Sequence, residues 1–114
     1  MPDTPVIDPE AIANLRSLNP GDNDEFLSEI VNIFLADTPL RIDELEQSLA
    51  AGDVPKFARS AHSIKGSSAN LGAMSLRAVA EKLEHQSRKE GLAGVTPLLG
   101  EIKAQFDLAR MELE

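Results

Sequence analysis

With no cysteine in the chain, nucleophilic chemistry falls to oxygen or imidazole, and of the two histidines only His62 stands in a setting suited to it. Lys65 and Gly66 follow it three and four residues later, offsets at which side chains meet on a helix surface. Glycine inside a helix costs about 0.5–1 kcal/mol relative to alanine, so the space it leaves beside the imidazole needs a use. Room for a bulky group is such a use. Lys65 adds a cation on a flexible stem, a point charge suited to phosphoryl oxygens. Taken singly, Lys65 reads as a solvated helix lysine and Gly66 as a place of close helix packing. Taken with His62, they suggest an imidazole nitrogen that carries a phosphoryl group, with Ala58 and Ala69 keeping the same flank low.

The elements that must position these residues are helical almost throughout, because apolar side chains recur at the helical period and no alternating run is long enough for a strand. Asp8 is an N-cap, Pro9 takes the first helical position, and Ile7 and Ile12 form a hydrophobic staple, which predicts a short helix over about 9–18. It ends at the turn cluster Asn19-Pro20-Gly21. Asp22 and Glu25 have capping-box spacing, and Leu27, Ile30, Val31 and Phe34 form the next stripe, to about Asp37. Thr38-Pro39 reads equally as a new cap or as a kink within one long helix; Ile42, Leu45 and Leu49 carry the stripe on to Ala51 and Gly52.

Asp53 caps the helix that bears His62, with Val54, Phe57, Ala61, Ile64, Ser68 and Leu71 inward and a stop near Gly72. His62 lies about 100° from the centre of that stripe, at the edge of the buried face and open to solvent. Leu76, Val79, Ala80 and Leu83 mark the next helix, closed by Arg88, Lys89 and Gly91, and Thr96-Pro97 opens the last, with Leu99, Ile102, Phe106 and Ala109 inside. The expectation is an all-α antiparallel four-helix bundle with a short N-terminal helical extension, one domain over 1–114 with its core at about 22–112.

Composition narrows the functions. Net charge is −8, opposite in sign to a phosphate-backbone-binding footprint, so nucleic acid is not an expected partner. No apolar run reaches the roughly 18 residues of a membrane span and no signal peptide opens the chain, so no membrane partner and a cytoplasmic location are expected. There is no Gly-x-Gly-x-x-Gly or Walker loop for ATP and no aspartate cluster beside His62 for Mg²⁺. His85 reads as a solvated face residue. A metal site from His62, Glu81, Glu84 and His85 is conceivable in a bundle, but no histidine follows Glu81 at the Glu-x-x-His offset of di-iron sites.

The run Ala61-His62-Ser63-Ile64-Lys65-Gly66-Ser67-Ser68-Ala69-Asn70-Leu71-Gly72-Ala73 resembles the signature of histidine-containing phosphotransfer (HPt) domains, relay modules of multistep two-component signalling. The match to His-x-x-Lys-Gly-small-small-x-x-apolar-Gly is complete. The resemblance extends loosely over about residues 20–110, including Ala51-Gly52-Asp53 before the histidine helix and Leu83-Glu84 on the next, and the family fold is an antiparallel four-helix bundle. It implies that His62 is phosphorylated on Nε2, that Lys65 steadies the phosphoryl oxygens and that Gly66 gives access. Ser67 and Ser68 fall at the small-residue positions. In several relatives a polar side chain 22 residues after the histidine hydrogen-bonds its other ring nitrogen; here that residue is Glu84, which would fix the tautomer.

The resemblance further implies no cofactor of the chain's own, Mg²⁺ on a partner receiver domain, and response-regulator receiver domains and a hybrid sensor histidine kinase as partners, with the protein acting as a monomer. Transfer chemistry would come largely from the partner, which leaves open whether the module counts as an enzyme. Two other readings are a non-catalytic helical scaffold and the phosphoacceptor domain of a chemotaxis-type histidine kinase. A start at methionine and an end soon after the last helix favour a stand-alone relay protein over the second.

Overall fold

Helix boundaries follow local backbone chemistry. The structure, a computed structural model, describes residues 7–17 and 25–113; the turn at Asn19-Pro20-Gly21 and the Asp22 cap fall outside the described residues. Those residues form five helices and no strand: α1 (Pro9–Ser17), α2 (Glu25–Ala51), α3 (Val54–Leu71), α4 (Met74–Glu90) and α5 (Thr96–Leu113). α2 to α5 make the antiparallel four-helix bundle and α1 is the extension. None of the described helices is long and apolar enough to cross a membrane.

α1 begins as its sequence dictates: Asp8 Oδ1 accepts from the Glu10 amide at 3.0 Å, satisfying one donor of the first turn. Pro39 lies inside a continuous α2, which resolves the open choice in favour of one long helix. The proline is exposed, where water can serve the carbonyl that its ring leaves without a donor. α3 starts on Asp53, whose side chain accepts from the Lys56 amide at 3.2 Å, with Pro55 in the first turn. It ends on Gly72 at φ 72°, where the Ala73 amide donates to the Ser68 carbonyl at 2.8 Å. Glycine is required there twice over. A side chain would be strained by the left-handed backbone, and a Cβ would come within 2.5 Å of the Ala11 Cβ, because the Asp8 amide donates to the Gly72 carbonyl and seats α1 on this corner.

The stripes converge on one core. Leu45, Phe57, Ile64, Leu71, Leu76, Leu83 and Ile102 are fully buried, each contributing about 1.5–3 kcal/mol by leaving water. Phe34 and Phe106 stack at a tilt, with centroids 5.7 Å apart, joining α2 to α5. Periodicity placed Ser68 inward but missed the other buried hydroxyls. Ser48 and Ser87 are buried because each donates back to a carbonyl of its own helix, at 2.6 Å to Glu44 and 2.9 Å to Glu84. Ser68 and Thr38 are also buried, with no partner for their hydroxyls.

Candidate functional site

α3 packs most extensively against α4, and the seam between them carries His62. Ala61 and Ile64 are buried on either side of it in sequence, so the helical turn directs the imidazole outward; its side chain is 63% exposed. Across the seam, Glu84 of α4 places Oε2 3.0 Å from His62 Nδ1. An ionised carboxylate only accepts, so the proton of a neutral ring sits on Nδ1 and the lone pair on Nε2.

Glu84 is the node of this seam. Its side chain is 13% exposed; Oε1 lies 2.8 Å from Lys65 Nζ, and Oε2 also takes Arg88 at 3.3 Å. Burial alone would raise its pKa, but the Lys65 hydrogen bond and the charges of His62 and Lys65 outweigh that and hold it below the ordinary glutamate value. The carboxylate is therefore charged at neutral pH. One partly buried anion thus organises three nitrogen-bearing side chains around the exposed ring.

The opposite flank of His62 is open. A Cβ on Gly66 would meet nothing within 4 Å, which removes the close-packing explanation for this glycine: no neighbour in the bundle demands it. Beyond it runs the groove between α2 and α3. One half is apolar, lined by Leu15, Ile30, Ile33, Phe34 and Leu71 with Ser67, Asn70 and Asp37 at its edge, and Ile33 is 67% exposed. The other half is polar and is lined by Arg41, Glu44, Lys56, Arg59, Ser60 and Ser63.

The structure thus brings His62, Lys65 and Glu84 into contact and places Gly66 at the edge of the groove. One expectation is corrected: Ala69 is exposed on the flank, but Ala58 is fully buried in the core, because it lies on the inward side of α3 next to Phe57. His85 is exposed. Among the described residues no group of three or more acidic or histidine side chains is arranged to hold a metal, and Glu81 lies 3.7 Å from Arg77 instead. Arg88 reads in the sequence as a C-terminal helix charge and as a surface neighbour of Glu84, without a part in the site. Its place on Glu84, one turn before it, is the i, i+4 relation that the spacing indicates.

Comparison with known proteins identifies the family. The family model for the Hpt domain matches residues 29–112. The chain is 30% identical over 99 residues to multistep phosphorelay regulator 1 of Schizosaccharomyces pombe, an alignment that covers 87% of this chain and 34% of that protein, so the chain spans about a third of that relative. Among solved structures, histidine-containing phosphotransfer protein B from Pseudomonas aeruginosa PAO1 superposes with a TM-score of 0.87 at 28% identity, covering 97% of this chain and 93% of that one. A histidine-containing phosphotransfer protein from maize superposes with a TM-score of 0.81 at 26% identity, covering 95% and 84%. The chain belongs to the Hpt domain family, the histidine phosphotransfer modules of two-component phosphorelays.

Proposed function

We propose that this chain relays a phosphoryl group between receiver-domain aspartates through Nε2 of His62. The observation that carries this reading is the Nδ1 contact to a charged Glu84 on a ring that is otherwise exposed, which leaves Nε2 as the nucleophilic nitrogen and accessible to a visiting protein.

In the forward step the Nε2 lone pair attacks the phosphorus of a receiver aspartyl phosphate. The bond from phosphorus to the aspartyl oxygen breaks, the carboxylate leaves with its electron pair, and a phosphorus–nitrogen bond forms. The imidazole becomes cationic, and Glu84, already on Nδ1–H, stabilises that charge without having to move. Lys65 turns from Glu84 toward the phosphoryl oxygens. In the return step an aspartate oxygen attacks phosphorus and the electron pair of the breaking bond goes back to Nε2. Such a transfer needs alignment and positive charge more than covalent machinery. The Mg²⁺ that supplies most of that charge belongs to the partner receiver domain, the chain needing no cofactor of its own. The partners are response-regulator receiver domains and a hybrid sensor histidine kinase, and the module works as a cytoplasmic monomer. The apolar half of the α2–α3 groove, with Ile33 exposed in its lining, gives a receiver a small docking surface of the transient class.

The test is transfer from phosphorylated receiver domains. The wild type acquires acid-labile, base-stable phosphate, and His62→Gln, equally helical by circular dichroism, acquires none. Equal labelling of the two proteins removes the assignment.

A further inference from the structure

The polar half of the α2–α3 groove is unlike the rest of the surface. The chain carries a net charge of −8, yet the lining of this recess holds Arg41, Lys56 and Arg59 against one carboxylate, Glu44. That carboxylate is already engaged: Arg41 donates to it at 3.1 Å and the Ser60 hydroxyl at 3.0 Å. Arg41 is further tied to Asp37 at 3.3 Å. Lys56 and Arg59 are different: neither forms a close ion pair with a described residue, and Lys56 acts on Glu44 only through its charge at longer range. Both project from α3 on the side of α2, Arg59 one turn before His62 and Lys56 one turn before that. Two cations outside any close ion pair and the Ser63 hydroxyl thus stand beside the phosphoacceptor, on the same open flank as Gly66.

A protein this acidic repels an acidic visitor, and a receiver domain that holds Mg²⁺ must bring carboxylate ligands to within a turn or two of His62. Resting on the phosphotransfer reading, we infer that the Arg41–Lys56–Arg59 recess is the electrostatic half of the docking surface, receiving acidic side chains of the receiver domain while the apolar half supplies buried area. Lys56 and Arg59 do the binding. Arg41, neutralised by Asp37 and Glu44, shapes the recess and separates its two halves. These cations act on encounter and orientation and not on the phosphoryl group, since Lys65 occupies the opposite flank.

The experiment uses a receiver domain shown to phosphorylate His62 and, in parallel, phosphoramidate as a small phosphodonor. For the Lys56→Ala/Arg59→Ala double variant, the receiver concentration giving half-maximal transfer rate rises about threefold to tenfold, and its increase with ionic strength is blunted. The rate at saturating receiver and the rate with phosphoramidate stay within about twofold, as expected of charges that act on encounter. Arg59→Lys restores most of the loss. Half-saturation and salt dependence equal to wild type overturn the inference and leave the phosphotransfer reading intact. A matching loss with phosphoramidate also overturns it, because the residues would then act on the imidazole itself. A wild type that takes phosphate from no receiver defeats the phosphotransfer reading instead.

Discussion

The two flanks of His62 are built on opposite plans. Toward α4 the charged groups around the ring are paired: Glu84 collects His62, Lys65 and Arg88 within 3.3 Å. Toward α2 the helix presents Gly66 with no neighbour and two cations outside any close ion pair, and α2 adds the exposed Ile33. Ordering one flank within the chain and leaving the other unfinished is what a half-site requires. The first sets the tautomer and charge of the nucleophile before any encounter, so no reorganisation is needed at the moment of transfer. The second is completed only when another molecule supplies the missing contacts, so it must remain low and unpaired.

The sharpest way to break this contrast is to fill the open flank. Gly66→Phe is expected to lower receiver-dependent transfer by more than about a hundredfold, since misplacing the reacting atoms by an ångström costs that much. Gly66→Ala, whose Cβ meets nothing, raises stability by about 0.5–1 kcal/mol while retaining much of the transfer. Thermal unfolding and single-turnover kinetics measured on both variants separate access from folding. A phenylalanine variant that transfers at the wild-type rate refutes the role of the gap.

Next in size is the ordered flank's own node. Glu84→Ala removes the Nδ1 acceptor and strands a half-buried Lys65, and a lost hydrogen bond between charged groups, about 1.5–3 kcal/mol, corresponds to roughly tenfold to hundredfold slower transfer. Nitrogen-15 chemical shifts of His62 show the Nδ1–H tautomer losing its dominance in the variant. The pH dependence has a definite sign. The Glu84 pKa is lowered in the folded chain, so the stability it contributes is complete above the ordinary glutamate value of 4.5 and is lost as pH falls through the lowered folded value. Glu84→Gln flattens that part of the acid limb of the stability curve. Lys65→Ala comes third, with transfer about threefold to tenfold slower, because one flexible, partly solvated point charge is removed while the fold and the tautomer remain.

Legibility in the sequence followed the same division. His62, Lys65 and Gly66 share one helix, so fixed geometry at three- and four-residue offsets relates them without knowledge of the fold. The inward stripes of α3, α4 and α5 were readable for the same reason. Glu84 sits 22 residues away on another helix, and only the family resemblance pointed to it, since no local period spans a loop. The α2–α3 groove was not legible at all: Ile33 comes to line it with Ser67, and Arg41 with Arg59, only through helix packing, and a stripe says which residues face inward but not which neighbours they face. Ala58 failed differently. Small residues are compatible with either face, so composition alone could not say that it packs beside Phe57 in the core.

Arg88 provides the finest test of the comparison, because it belongs to the ordered flank but is 57% exposed. If that flank works through the charge on Glu84, the guanidinium contributes little: His62 and Lys65 are the two groups whose interactions lower the Glu84 pKa, and an exposed i, i+4 pair is worth about 0.3–0.5 kcal/mol. Arg88→Ala is therefore expected to slow transfer by less than about twofold, an effect that shrinks further as salt is added. If instead Arg88 holds the Glu84 carboxylate in place when Lys65 turns toward the phosphoryl group, the wild-type and variant proteins separate only after phosphorylation. Hydrolysis of the phosphohistidine is the measurement that distinguishes these cases. An unchanged lifetime confines the node to Glu84, His62 and Lys65, whereas a shortened one adds Arg88 to the groups that stabilise the charged ring.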